Sequence, residues 1–239
     1  MTMQELARSF EIVSLLIYIG ALVWAIRSRN PYWFGLLIGA TLVFVFDWHW
    51  SARGFFNATF NPYLTTIPGL MSFGLAPPGS VPPVIEPWSV ALNYGFGFGP
   101  GIALLLMATP ALIKKFGSAH YLVVFLFGVV GVPLYEVPVV HFIHAWTYNQ
   151  QAEHLFYGFP YSNFFMGGNL IFWPWLFARC LQNWVPMPDK PGVSLTSPTT
   201  WKGIGMGCMA MWSGFYVAGA LQLFWYTNTV PWIEVGRPL

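Results

Sequence analysis

Apolar side chains in this chain come in runs of about 20 residues, each ended by a short polar break. Such runs predict transmembrane helices, because about 20 residues at a rise of 1.5 Å each cross a hydrocarbon core. A transmembrane β-barrel would instead show alternating strands of about ten residues. Six spans fit best: Phe10 to Ile26, Tyr32 to Trp50, Pro87 to Ile113, Tyr121 to Trp146, Tyr161 to Leu181 and Gly203 to Tyr226. The expected fold is all-α, a single polytopic helical-bundle domain over residues 1–239 with about five to seven crossings.

Orientation follows from the bias of Lys and Arg toward the cytoplasmic side. With both termini extracytoplasmic, the inside collects Arg27, Arg29, Lys114, Lys115, Arg179, Lys190 and Lys202, and the outside keeps Arg8, Arg53 and Arg237. The same topology places eleven of the thirteen carboxylates and imidazoles outside, leaving only His120 and Asp189 inside. The first span has no charged leader and no small-residue cleavage site, so it reads as retained.

Two connections differ in character. The outer segment 51–86 is rich in Pro and Gly yet carries Phe55, Phe56, Phe60, Tyr63, Leu64, Ile67 and Leu70. So apolar a loop is expected to dip into the interface or cap the bundle as a lid. The inner loop 184–200 is polar and reads as a plain connector. Glycines spaced four apart (Gly35 and Gly39, Gly203 and Gly207, and the series Gly95, Gly97, Gly99, Gly101) predict close approach of helix backbones. Around Pro100 the same series could also open room for a ligand.

Composition narrows the class further. The chain is 56% hydrophobic and 8% charged with a mean hydropathy of +0.57, against about 25% charged for an ordinary soluble domain. A net charge of +2 without a basic run excludes nucleic acid as a partner. The expected partners are the lipid bilayer and a lipophilic small molecule. Cys180 and Cys208 stand alone and read as small packing residues.

Ionisable groups inside or beside a membrane are costly and mark candidate sites. The fourth span is densest, with Tyr135, Glu136, His141 and His144. His141 and His144 are three apart and would share one helix face, while Pro138 would distort the turn and swing Glu136 inward. The second span ends in Asp47, Trp48 and His49, with Asp47 the deeper. Glu86, at the same level, would complement the positive end of the third helix.

Three functions are compatible with this set. In the leading one, the chain is a membrane-embedded enzyme that uses no cofactor. Asp47, Glu136, His141 and His144 act as acids and bases on an isoprenoid- or sterol-like lipid, in a cavity opening toward the outer leaflet. A carboxyl group desolvated near lipid holds its proton more tightly and can serve as an acid. Aromatic faces stabilise positive charge, which suits cyclisation or double-bond isomerisation; 19% of residues are aromatic, 13 of them Trp. Asn93, Trp48, Tyr135, Trp146 and Asn163 are the expected substrate contacts. The second function is a metal-dependent oxidoreductase with Cu, Zn or Fe bound by Asp47, His49, Glu136, His141 and His144. The third is a transporter, channel or membrane-complex subunit, disfavoured by the lack of an internal repeat.

Overall fold

The computed structural model describes residues 1–43, 59–66, 87–148, 155–185 and 197–229, and 82% of these are helical. Helix α1 spans Met3–Arg27. It begins seven residues before the predicted Phe10, because Thr2 and Glu5 form a capping box that satisfies the first turn's free amides. Hydropathy sees the apolar run and misses the polar turn in front of it. Helix α2, Pro31–Thr41, opens on the Asn30 cap with Pro31 at its first position, where a missing amide costs nothing. Leu42 and Val43 form the turn that ends it, and the predicted second span from residue 44 onward lies outside the described residues.

Helix α3 runs Trp88–Phe116 and α4 runs His120–Pro138. Between them the chain reverses at Gly117, whose φ of 56° is a conformation that side chains disfavour. Near the other end of this hairpin, Tyr135 on α4 touches both Asn93 and Phe96 on α3. A π-helical turn, Val139–Ile143, continues α4, and His144 then takes a left-handed conformation that ends it. Helices α5, Ser162–Gln182, and α6, Pro198–Thr229, complete the set among the described residues. Among the described residues, three helical stretches, Met3–Arg27, Trp88–Ile143 and Pro198–Leu221, are long and apolar enough to cross a membrane. The second of these is the α3–α4 hairpin.

Helix α2 lies against α6 and α3, α5 lies against α4 and α6, and α1 lies on α3. The main core sits among α2, α3, α5 and α6 around Leu36, Ile102, Trp175, Met211 and Phe215. Glycines set the closest approaches. A Cβ on Gly207 would meet the backbone of Tyr32 and Gly35, and one on Gly39 would lie 2.6 Å from Cα of Cys208. Helix α4 meets α5 in the same way, where Gly128 faces Gly167 and Gly168. The expectation of close glycine packing holds at these helix pairs.

A second, smaller cluster joins Ala7 and Phe10 of α1, Leu64, Val90 and the turn from Val139 to Trp146. Two short antiparallel ribbons belong to this end. Strands β1 (Thr59–Phe60) and β2 (Trp146–Thr147) pair Phe60 with Trp146. Strands β3 (Leu155–Phe156) and β4 (Phe159–Pro160) are joined by a tight turn at Tyr157 and Gly158, both at positive φ. The β1 segment is tied down by charge as well. Buried Glu11 accepts from Arg8 at 2.5 Å and from the backbone amide of Thr65 at 2.5 Å.

Candidate functional site

Between the two hydrophobic clusters lies a cavity of about 330 Å³. Helix α3 supplies Asn93, Gly97 and Gly101 to its wall, α4 supplies Phe127, Gly131, Tyr135 and Glu136, and α5 supplies Leu170 and Ile171. The first ribbon closes one end with Phe60 and Trp146, and Tyr148 stands beside them. Glu136 is the only carboxylate among these wall residues.

Glu136 is held by its surroundings. The Trp146 indole donates to Oε1 at 3.2 Å, and the Tyr148 hydroxyl donates to the same oxygen. Both donors come from the chain just past the π turn, which His144 folds back toward α4. A carboxyl group accepts hydrogen bonds when ionised and can donate one when protonated.

A chain of polar groups runs beside it. The Tyr135 hydroxyl donates to Asn93 Oδ1, while Asn93 Nδ2 donates to Ser89 O at 2.6 Å and to Ser14 Oγ at 3.0 Å. The Ser89 carbonyl can only accept, which fixes the amide with its nitrogen toward Ser89 and its oxygen toward Tyr135. Asn93, Ser89 and Ser14 are all buried. The Asn93 amide therefore joins α1, α3 and α4 where the cavity forms.

The structure brings together some of the residues named from sequence and separates others. Glu136, Asn93, Tyr135 and Trp146 share the cavity wall. Asn163 is buried in α5 but does not line it. His141 and His144 are exposed and also lie off the wall. Their expected common helix face is corrected by the backbone: the π turn and the left-handed His144 replace the α-helical geometry that a spacing of three assumes. The His141 ring packs on Tyr157, with centroids 5.1 Å apart. Asp47, Trp48, His49 and Glu86 lie outside the described residues. Among the described residues, no three His, Cys, Asp or Glu side chains come together as a metal site would need.

Sequence reasoning missed Tyr148, Phe60, Ser14 and Gly131. Tyr148 and Phe60 lie beyond apolar runs, and only the fold-back at His144 and the pairing of β1 with β2 bring them to Glu136. Ser14 is a small hydroxyl within the apolar part of α1, a signal that could have been read as a packing or hydrogen-bonding site.

At the opposite end of α4, His120 is buried against Arg179. Arg179 Nη1 lies 2.9 Å from His120 Nε2, and Gly117 O lies 2.6 Å from Nδ1. A guanidinium can only donate, so the imidazole carries its hydrogen on Nδ1. Arg179 also covers the rings of Tyr121 and Trp175. The arrangement locks the helix ends together.

The fold and the site define a helical membrane protein whose aromatic cavity has one carboxylate among its described wall residues. The chain matches no protein-family model, no characterised protein and no solved structure.

Proposed function

We propose that the chain is a membrane-embedded enzyme that moves protons on an unsaturated, isoprenoid- or sterol-like lipid, with Glu136 as the acid and base. The observation that carries this reading is the position of Glu136: a carboxyl group in the wall of an aromatic cavity, held by Trp146 and Tyr148.

The chemistry balances without an oxidant. The carboxyl O–H adds its proton to one carbon of a double bond, and the π electron pair forms the new C–H bond. The neighbouring carbon becomes cationic beside the rings of Phe98, Tyr135 and Trp146, whose faces attract positive charge. Loss of a proton from an adjacent carbon to the carboxylate gives an isomerised double bond. Attack by a second double bond before that loss gives a ring. Asp47 remains the proposed second acid.

The membrane arrangement belongs to the same proposal. The α3–α4 hairpin counts as two crossings, and the 21 residues of α5 reach about 32 Å, enough for another. Helix α2, at 11 residues and about 16 Å, is short of a full crossing; with α1 and α6 counted as crossings, six spans with both termini outside remain the proposed arrangement. The segment 51–86 then acts as a lid, and its described portion supports that role: Phe60 pairs with Trp146 over the cavity, and Glu11 holds Thr65.

The test is proton exchange. Protein in lipid nanodiscs is incubated in D₂O with a lipid extract of the source cells, and deuterium gained in C–H bonds is read by mass spectrometry. One lipid should gain deuterium, and Glu136→Gln should cut the rate by about 10²–10⁴-fold, the usual worth of a general acid–base. Equal exchange in Glu136→Gln, or none in any lipid with wild type, would refute the reading.

A further inference from the structure

The cavity has a side window. Among the described residues, a Cβ built on Gly97 or on Gly101 meets nothing within 4 Å, and one on Gly131 meets only Phe127, at 3.9 Å. All three line the cavity. Tyr135 ties α4 to α3 at Asn93 and Phe96, and counting along two antiparallel helices from that contact would bring Gly97 toward Gly131 and Gly101 toward Phe127. Their neighbours two positions away behave oppositely: a Cβ on Gly99 would strike Leu37, and one on Gly95 would strike Tyr18 and Thr41. One face of α3 is thus closed on the bundle, and the other leaves a gap toward α4.

That gap reaches the outer surface of the bundle. Phe127 lines the cavity and is nevertheless 57% exposed, and Gly97 is exposed too. Around them Leu104, Leu126, Val130 and Leu134 are exposed and apolar. No charged residue occurs in α3 between Gly97 and Ile113, nor in α4 between Tyr121 and Tyr135. Such a surface faces hydrocarbon.

Size supplies the second argument. The cavity is about 330 Å³, and an engineered apolar cavity of about 150 Å³ holds one benzene. Room for about two ring-sized groups is too little for a whole sterol or a long polyprenyl chain. A lipid reacting at Glu136 must keep the rest of its body elsewhere.

We propose that the gap between α3 and α4, bounded by Gly97, Gly101, Gly131 and Phe127, is a lateral portal. Through it a long-tailed lipid inserts its reacting end from the bilayer while its tail stays among the acyl chains. The glycines set which lipids fit, since each missing side chain is part of the passage. This rests on the proposed site at Glu136 but not on its chemistry.

The test uses photolabelling, which needs no turnover. A long-chain alcohol carrying a diazirine at its hydroxyl end is dissolved in the nanodisc bilayer, and labelled residues are mapped by mass spectrometry. Leu170 and Ile171, buried at the cavity wall, should be labelled in wild type. In Gly97→Leu combined with Gly131→Leu, that labelling should fall at least about tenfold, while lipid-facing Leu122 and Leu126 are labelled as before. The single variants Gly97→Leu and Gly131→Leu repeat the test should the pair fail to fold. Glu136→Gln should keep the labelling, which separates a portal from the acid–base chemistry. Unlabelled Leu170 and Ile171 in wild type, or undiminished labelling in the filled variants, would overturn the portal. So would stronger labelling from a water-soluble diazirine, which would place the access route on the aqueous side.

Discussion

The α2–α6 contact and the α3–α4 gap are both built on glycine, and they use it in opposite ways. At α2–α6 the absent side chain is filled by the neighbouring backbone: Gly207 lies on Tyr32 and Gly35, and Gly39 lies on Cys208. Cys208 Sγ then reaches Gly35 O at 3.3 Å and Trp212 Nε1 donates to Gly39 O at 3.1 Å, as close backbones allow. At α3–α4 nothing among the described residues fills the absent side chains of Gly97 and Gly101. The sequence spacing is the same in both places. A glycine in a membrane helix is therefore a space, and only the partner helix decides whether the space becomes contact or cavity.

Substitution separates the two uses. Gly207→Val should have the largest effect, because the new methyls meet backbone that cannot give way. Overpacking of this kind costs about 1–3 kcal/mol or more. The expected outcome is a lower unfolding temperature in detergent or loss of monodisperse protein on gel filtration. Wild-type stability would contradict the contact. Glu136→Gln comes next in consequence and should leave the unfolding temperature unchanged while deuterium exchange into lipid collapses. Joint loss of fold and exchange would make Glu136 a structural residue.

Smaller effects come from the edges of the site. Glu11→Ala removes a carboxylate that holds the half-exposed Arg8 and the Thr65 amide, and with the ion pair screened by solvent the loss is about 0.5–1.5 kcal/mol. A fall of that order in stability against denaturant is expected, with added protease cleavage near residues 61–66. Unchanged cleavage would mean that this tie does not hold the segment. Smallest of all are Gly97→Ala and Gly101→Ala. Each should be neutral or stabilising by up to about 1 kcal/mol, since alanine favours the helix and meets open space. A clear loss of stability in either would close the gap that the portal requires.

How much of this was legible in the sequence depends on the kind of signal. Apolar runs located the helices, since the bilayer imposes their length. Their starts were less visible: the capping box at Thr2 and Glu5 lengthened α1 through polar residues. The glycine series announced close packing, but nothing in it said that Gly95 and Gly99 would face α1 and α2 while Gly97 and Gly101 faced the cavity. That division depends on which helices become neighbours. Glu136 was legible as a costly acid in an apolar run. The pairing of His141 with His144 was not sound, because a π turn and one left-handed residue changed the geometry that spacing implies. Trp146 and Tyr148 reach Glu136 through that same turn, so the irregularity that parted the histidines also built the carboxylate's surroundings.

The most direct measurement is a cryo-EM map of the protein in a nanodisc made with lipids of its source membrane. The account predicts elongated non-protein density with one end near Glu136, passing between Gly97 and Gly131 into the surrounding bilayer. Helices α3 and α4 closed on each other there, with side chains filling the space and no density beside Glu136, would contradict it.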